Sequence, residues 1–225
     1  MGKLSPTERK GTTIDNVNAG EFPAKRKRGR PRDPGADRRI LTAARADAAD
    51  VGVAGASMSA IADRSGVGKP TIYLRWANRR DLMVAAVVDL RVPVETEHTG
   101  SVRADLLRSL MEDRELLVAG PESRFLRSVL FESESDPDLA RELESSILGP
   151  RRERLMAILE RGVHEGEVRS EVEAEGIADL LSGPLMRAMV VGGAAAEPDA
   201  VRRHVDVVVD GIGSPSSRIP EGSRN

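Results

Sequence analysis

Apolar residues recur at three- and four-residue spacing through most of the chain from residue 34 to residue 212, and no stretch alternates long enough to argue for a strand. The expected class is therefore all-α. Asp33 caps and Pro34 opens a first helix with Ile40, Leu41, Ala44, Ala48 and Val51 on one side, and Gly52 ends it. A second helix follows the N-cap Ser57, with Met58, Ile61, Ala62 and Ser65 on its inner face. Gly66 gives the next turn its backbone freedom, and Val67 plugs between the helices. A third helix starts near Gly68 or Lys69 with Pro70 in its first turn, where a missing N–H costs nothing. Ile72 and Trp76 face inward, which leaves Lys69, Thr71, Tyr73 and Arg75 pointing elsewhere. Asn78, with Asp81 three residues on, caps a fourth helix whose buried side carries Leu82, Ala85, Ala86, Val88 and Leu90 until Pro93 stops or bends it.

The same period continues through predicted helices at 101–118, 121–133, 136–165 with an interruption near Gly149-Pro150, 173–191 and 198–212. Gly120-Pro121, Asp136-Pro137, Gly166, Gly192-Gly193 and Glu197-Pro198 punctuate them. The last two carry long apolar stripes: Ile177, Leu180, Leu181, Leu185, Met189 and Val190, then Val201, Val205, Val208, Val209 and Ile212. Period alone does not separate a core stripe from an interface stripe.

Two short helices broken at Gly66-Val67-Gly68 are the sequence form of a helix-turn-helix, and donors with an aromatic hydroxyl on the open face of the second suit a DNA groove. The run from Arg39-Ile40-Leu41 through Met58-x-x-Ile61-Ala62, Gly66-Val67-Gly68-Lys69-Pro70-Thr71-Ile72-Tyr73 and Trp76-x-Asn78-Arg79-x-x-Leu82 resembles the DNA-binding domain of the TetR family of bacterial regulators. Several spaced residues fall in register over some fifty positions, which makes the match specific where a lone glycine turn is not.

What the resemblance implies can be placed residue by residue. Ser57 and Ser59 would meet a phosphate or the groove edge. Lys69, Pro70 and Thr71 sit where base edges and thymine methyls are touched, and Tyr73, Arg75 and Arg79 where phosphates are held. The chain departs from the family at Ala48 and Val53, which replace aromatics, at Trp76, which replaces phenylalanine, and at Gly68, which replaces a small polar residue. The resemblance also implies a fourth helix acting as a lever between domains, a homodimer through the last two helices, and a pocket for a small apolar effector. Leu107, Met111, Phe125, Phe131, Met156, Leu185 and Met189 are its candidate lining.

Charge divides the chain as function would. Residues 1–92 carry 18 Lys and Arg against 10 Asp and Glu, whereas residues 93–225 carry 16 against 26. A polyanion reader joined to an acidic sensor fits that division. Lys25-Arg26-Lys27-Arg28-Gly29-Arg30-Pro31-Arg32 is read either as a solvated charge run or as an AT-hook-like arm, with Arg28, Arg30 and Arg32 entering a narrow minor groove.

Composition excludes several classes. Cysteine is absent, which rules out disulfides and thiolate metal sites. His98, His164 and His204 have no metal spacing, no nucleophile elbow occurs, and Gly68-Lys69 lacks the rest of a phosphate loop. No enzyme, metal or cofactor is expected. No apolar run approaches a membrane span and no signal-peptide core is visible, so a cytoplasmic, nucleoid-associated protein is expected. The expected layout is a tail at 1–32 with the basic arm at 25–32, a helix-turn-helix domain at 34–94 with its motif at 57–76, a regulatory and dimerisation domain at 95–213, and a tail at 214–225. The expected function is a dimeric repressor on a palindromic operator, released by a small hydrophobic effector. The alternative is an architectural minor-groove protein acting through the basic arm.

Overall fold

A computed structural model describes residues 34–91, 98–193 and 196–214. The tails, the basic arm and Pro93 lie outside them. Among the described residues ten α-helices follow in order: α1 Pro34–Val51, α2 Met58–Ser65, α3 Lys69–Tyr73, α4 Arg79–Val88, α5 Val102–Arg114, α6 Ser123–Glu132, α7 Pro137–Leu143, α8 Gly149–His164, α9 Ala174–Val191 and α10 Pro198–Ile212. Among the described residues the only extended pairing is an isolated bridge between Val168 and Gly213, which fastens the end of α10 to the loop before α9. None of the described helices is long and apolar enough to cross a membrane.

The helix ends are set by the residues that the sequence offers for them. The Ser57 hydroxyl accepts from the Ala60 amide at 3.1 Å, and the Asn78 side chain accepts from the Asp81 amide at 2.9 Å. Asp136 accepts from both the Asp138 and Leu139 amides ahead of α7. Gly66 closes α2 at φ 67°, a left-handed backbone that a side chain would strain.

No break occurs at Gly149-Pro150. Instead α7 runs into a π-helical turn, Glu144–Leu148, and then into α8, with Gly149 itself helical and Pro150 in the first turn. A second π-helical turn, Glu115–Ala119, extends α5. Two further expectations shift. Val51 is 58% exposed, because it is the last residue of α1 and the chain turns away at Gly52. On α4 the buried stripe is Leu82, Met83, Ala86 and Val87, and Val88 is 41% exposed: the inner face is rotated toward Met83 and Val87.

Two apolar clusters hold the helices. The first joins α1–α4 to Leu117, to Phe125, Leu126 and Val129 of α6, to Leu139 and Leu143 of α7, and to Ile147 and Met189. The second joins α5, α8, α9 and α10 around Leu106, Leu110, Leu155, Leu159, Leu181, Leu185, Val201 and Val205. The helix-turn-helix is therefore seated on α6 and α7 through shared apolar packing rather than hung from a linker.

Candidate nucleic-acid interface

α3 is short, and its position comes from what it buries. Ile72 has no exposure, and Val67 in the turn before it is buried as well. The buried Ser65 hydroxyl donates to the Ala62 carbonyl at 3.2 Å and accepts from the Val67 amide at 3.3 Å, so both the hydroxyl and that amide find partners within the turn. Beyond Tyr73 the amides of Leu74 and Trp76 still bond back to Pro70 and Ile72, at 3.1 and 3.0 Å. Trp76 is half-buried against the first cluster. It closes the motif just past the helix end, where the sequence had placed it inside a longer helix.

With that side anchored, the other side is open. Ser57, Ser59, Lys69, Pro70 and Tyr73 are exposed and Thr71 is half-buried. Lys69 makes no ion pair among the described residues. Ser57 also has its amide bonded to the buried Asp47 carboxylate at 3.0 Å, so α1 fixes where α2 begins.

The two arginines expected at phosphates are held by the protein. Arg75 is paired through Nε with Asp37 of α1, and its Nη1 donates to the Thr71 carbonyl at 3.0 Å. Arg79 donates through Nη1 to the carbonyl oxygens of Ala54 and Ala56, closing the loop between α1 and α2. Both keep remaining N–H groups, but their guanidinium planes are oriented by these bonds. Leu74, absent from the sequence-based set, is 86% exposed one turn beyond Pro70. The four-residue spacing from Pro70 was the signal for it.

Cations also tie the helix-turn-helix to the helices behind it. Arg80 of α4 makes a two-pronged pair with Asp136, both bonds 2.7 Å, and reaches Asp138 at 2.5 Å. The Arg80 hydrogen bonds hold the Asp136 carboxyl down at about 2, well below its usual range. Arg45 of α1 bridges Asp89 and Glu122, and Arg91 donates to the Ser146 hydroxyl at 2.6 Å.

Comparison with known proteins decides what this arrangement belongs to. Residues 40–86 match the family described as bacterial regulatory proteins, tetR family, and residues 96–208 match the tetracyclin repressor-like C-terminal domain. The chain belongs to the TetR family. It is a DNA-binding transcriptional regulator. The HTH-type transcriptional regulator YdeS of Bacillus subtilis is 30% identical over 195 residues, covering 85% of this chain and 96% of its own length. The DNA-binding transcriptional repressor TetR of Mycobacteroides abscessus is 28% identical over 61% of this chain and 73% of its own. The structure of the regulator FadR from Bacillus subtilis in complex with stearoyl-CoA superposes with a TM-score of 0.64, at 19% identity, over 78% of this chain and 98% of that one.

In this TetR-family regulator the candidate effector residues fall in different places. Phe125 and Met189 are buried in the first cluster and Leu185 in the second. Leu107, Met111 and Met156 are half-buried against the second cluster. Phe131 is 59% exposed, since α6 turns Phe125, Leu126 and Val129 inward and Phe131 away from them. Arg28, Arg30 and Arg32 lie outside the described residues.

Proposed function

We propose that this regulator is a repressor that binds a two-fold symmetric operator as a homodimer, with α3 in the major groove and a small effector releasing it. The observation that carries the reading is the open face of α3. Lys69, Pro70 and Tyr73 stand exposed on a helix whose back is fixed by Ile72, on a head packed directly against α6 and α7. Ser57, Ser59, Thr71, Arg75 and Arg79 surround that face and supply phosphate and groove-edge contacts.

Pairing through α9 and α10 is supported by the large apolar side chains that these helices leave uncovered: Leu180, Val190, Val191 and Val207 are 59, 39, 65 and 73% exposed. Two heads on a palindrome multiply a modest single-head affinity. The effector reading rests on the half-buried Leu107, Met111 and Met156 beside Leu185. It is supported by the neighbour FadR, whose stearoyl-CoA carries a long apolar part. The ion pairs from Arg80 and Arg45 and the Arg91–Ser146 hydrogen bond are the means by which a shift in the C-terminal helices would reach the head. The basic arm at 25–32 adds minor-groove affinity, and the protein works in the cytoplasm beside the chromosome.

The test is fluorescence anisotropy on DNA from the region upstream of its own gene against scrambled DNA, across a salt series. Preference of about tenfold or more, two chains per site, and weakening by Tyr73→Ala are expected. Equal, steeply salt-dependent binding to both DNAs that Tyr73→Ala leaves unchanged, but that is lost when residues 1–32 are deleted, would instead establish the architectural reading.

A further inference from the structure

We infer that Leu74 is a specificity-determining residue that reads thymine, its side chain packing on the 5-methyl group of one thymine in each half-site. The inference rests on α3 being the helix that enters the groove.

Leu74 is 86% exposed, more than any other exposed large apolar side chain among the described residues. A lone surface leucine needs no explanation, but this one is not alone. It stands one turn beyond the exposed Pro70 and next to Tyr73, which is 51% exposed, so the three form one apolar face at the end of α3. The face is presented rather than frayed. The Leu74 amide bonds to the Pro70 carbonyl, its backbone is helical at φ −69° and ψ −17°, and it is flanked by fully buried Ile72 and half-buried Trp76.

The polar alternatives nearby are already engaged. Arg75 is held by Asp37 and the Thr71 carbonyl, and Arg79 by the carbonyls of Ala54 and Ala56. The forked guanidinium contact to guanine is thus not what this end of α3 offers. The N-cap Gly68 adds no side chain, which leaves Lys69 as the open cation of α3 and Pro70, Tyr73 and Leu74 as its open surface. On the edges of unmodified base pairs in the major groove, the thymine 5-methyl is the one apolar group. Against a cytosine amino group or a guanine carbonyl, a leucine strips water and returns no hydrogen bond. An exposed leucine in the groove therefore selects thymine.

The full-length chain is used to select a preferred duplex from a random pool, and each thymine of that duplex is then replaced singly by uracil, which deletes only the methyl. One symmetry-related pair of positions should weaken binding by about fourfold per methyl lost, the scale of one buried carbon. Leu74→Ala, which removes the contact from both half-sites, should weaken the thymine duplex by about the same fourfold per half-site, should bind thymine and uracil versions of that position equally, and should melt as the parent does. Uracil replacements that change nothing at any position, or a Leu74→Ala protein still as sensitive to uracil as the parent, would overturn the assignment while leaving α3 as the reading helix. A pool that enriches no sequence, or selected DNA bound equally well by Tyr73→Ala, would overturn the α3 reading and this assignment with it.

Discussion

The two halves of the molecule bury polar groups in different ways. Around the helix-turn-helix each buried polar side chain answers to backbone or to a partner partly in water: Asp47 takes the Ser57 amide, Ser65 serves its own turn, and Arg45 reaches Asp89, which is 40% exposed. Between α5 and α8 buried charge meets buried charge. Arg154 and Asp113, 7 and 5% exposed, pair at 2.8 Å and Arg151 lies 3.2 Å from the same carboxylate; the buried Asp105 nearby is paired at 2.5 Å with Arg161, which is 23% exposed. A head whose interior is apolar, with its ion pairs at the margin, keeps its shape, as a reading surface must. A helix pair held by an enclosed ion pair is sensitive to whatever alters those charges, which would be a useful property on the side proposed to take the effector.

The sharpest way to break this contrast is Arg154→Ala. It leaves Asp113 buried with only Arg151 nearby and also strips partners from Glu112 and the Ser109 carbonyl. A loss of about 3–5 kcal/mol in urea denaturation at pH 7 is expected. The double change Asp113→Leu with Arg154→Met should recover most of it, because enclosed ion pairs are worth little over well-packed apolar groups. A loss below about 1 kcal/mol for Arg154→Ala would mean that the charges are not enclosed.

Next in size is Gly162→Ala on α8. A methyl there would lie 2.5 Å from Val102 Cγ2 and 2.8 Å from Val168 Cγ2, so α8 must move from α5 or both valines must turn. About 1–3 kcal/mol is expected, read from the same denaturation curves. In the head, Ile61→Val should cost only about 1 kcal/mol, the deletion of one buried methylene, and the cost should be equal at pH 5 and pH 8.

These positions also mark where the sequence was legible and where it was not. Local signals survived folding almost unchanged: Ser57 and Asn78 cap, Gly66 turns, Pro70 opens α3, and α10 begins at Pro198 and ends at Ile212 as its pattern indicated. Each depends on residues within one helical turn. Arg75 and Arg79 lay beyond this reach, because their tethers, Asp37 and the carbonyls of Ala54 and Ala56, are 23 or more residues away. The division of the apolar stripes was hidden for the same reason: Phe125 and Met189 read like Leu185 in sequence, yet they pack in the other cluster. The π-helical turn at Glu144–Leu148 was missed because Gly149-Pro150 signals an interruption without saying that it is a widened turn.

The smallest effect separates the two kinds of carboxylate by the sign of their pH dependence. Burial pushes Asp113 up to about 6 from an ordinary 3.8, with Arg154 and Arg151 pulling it only part of the way back. The folded protein therefore holds a proton that the unfolded chain has released between about pH 4 and 6, and stability rises as pH falls through that window. Asp136 is the reverse, held at about 2 by Arg80 and by the two amides it caps. Its contribution is complete above pH 4 and is lost as pH falls from about 4 toward 2. The urea midpoint should thus climb slightly from pH 7 to about 4.5 and fall steeply below 4. Asp113→Asn should flatten the climb and leave the fall. Asp136→Asn, which keeps a capping side chain, should soften the fall and leave the climb. A climb that persists in Asp113→Asn would assign the upper window to some other group and remove the evidence that the α5–α8 charges respond to protons.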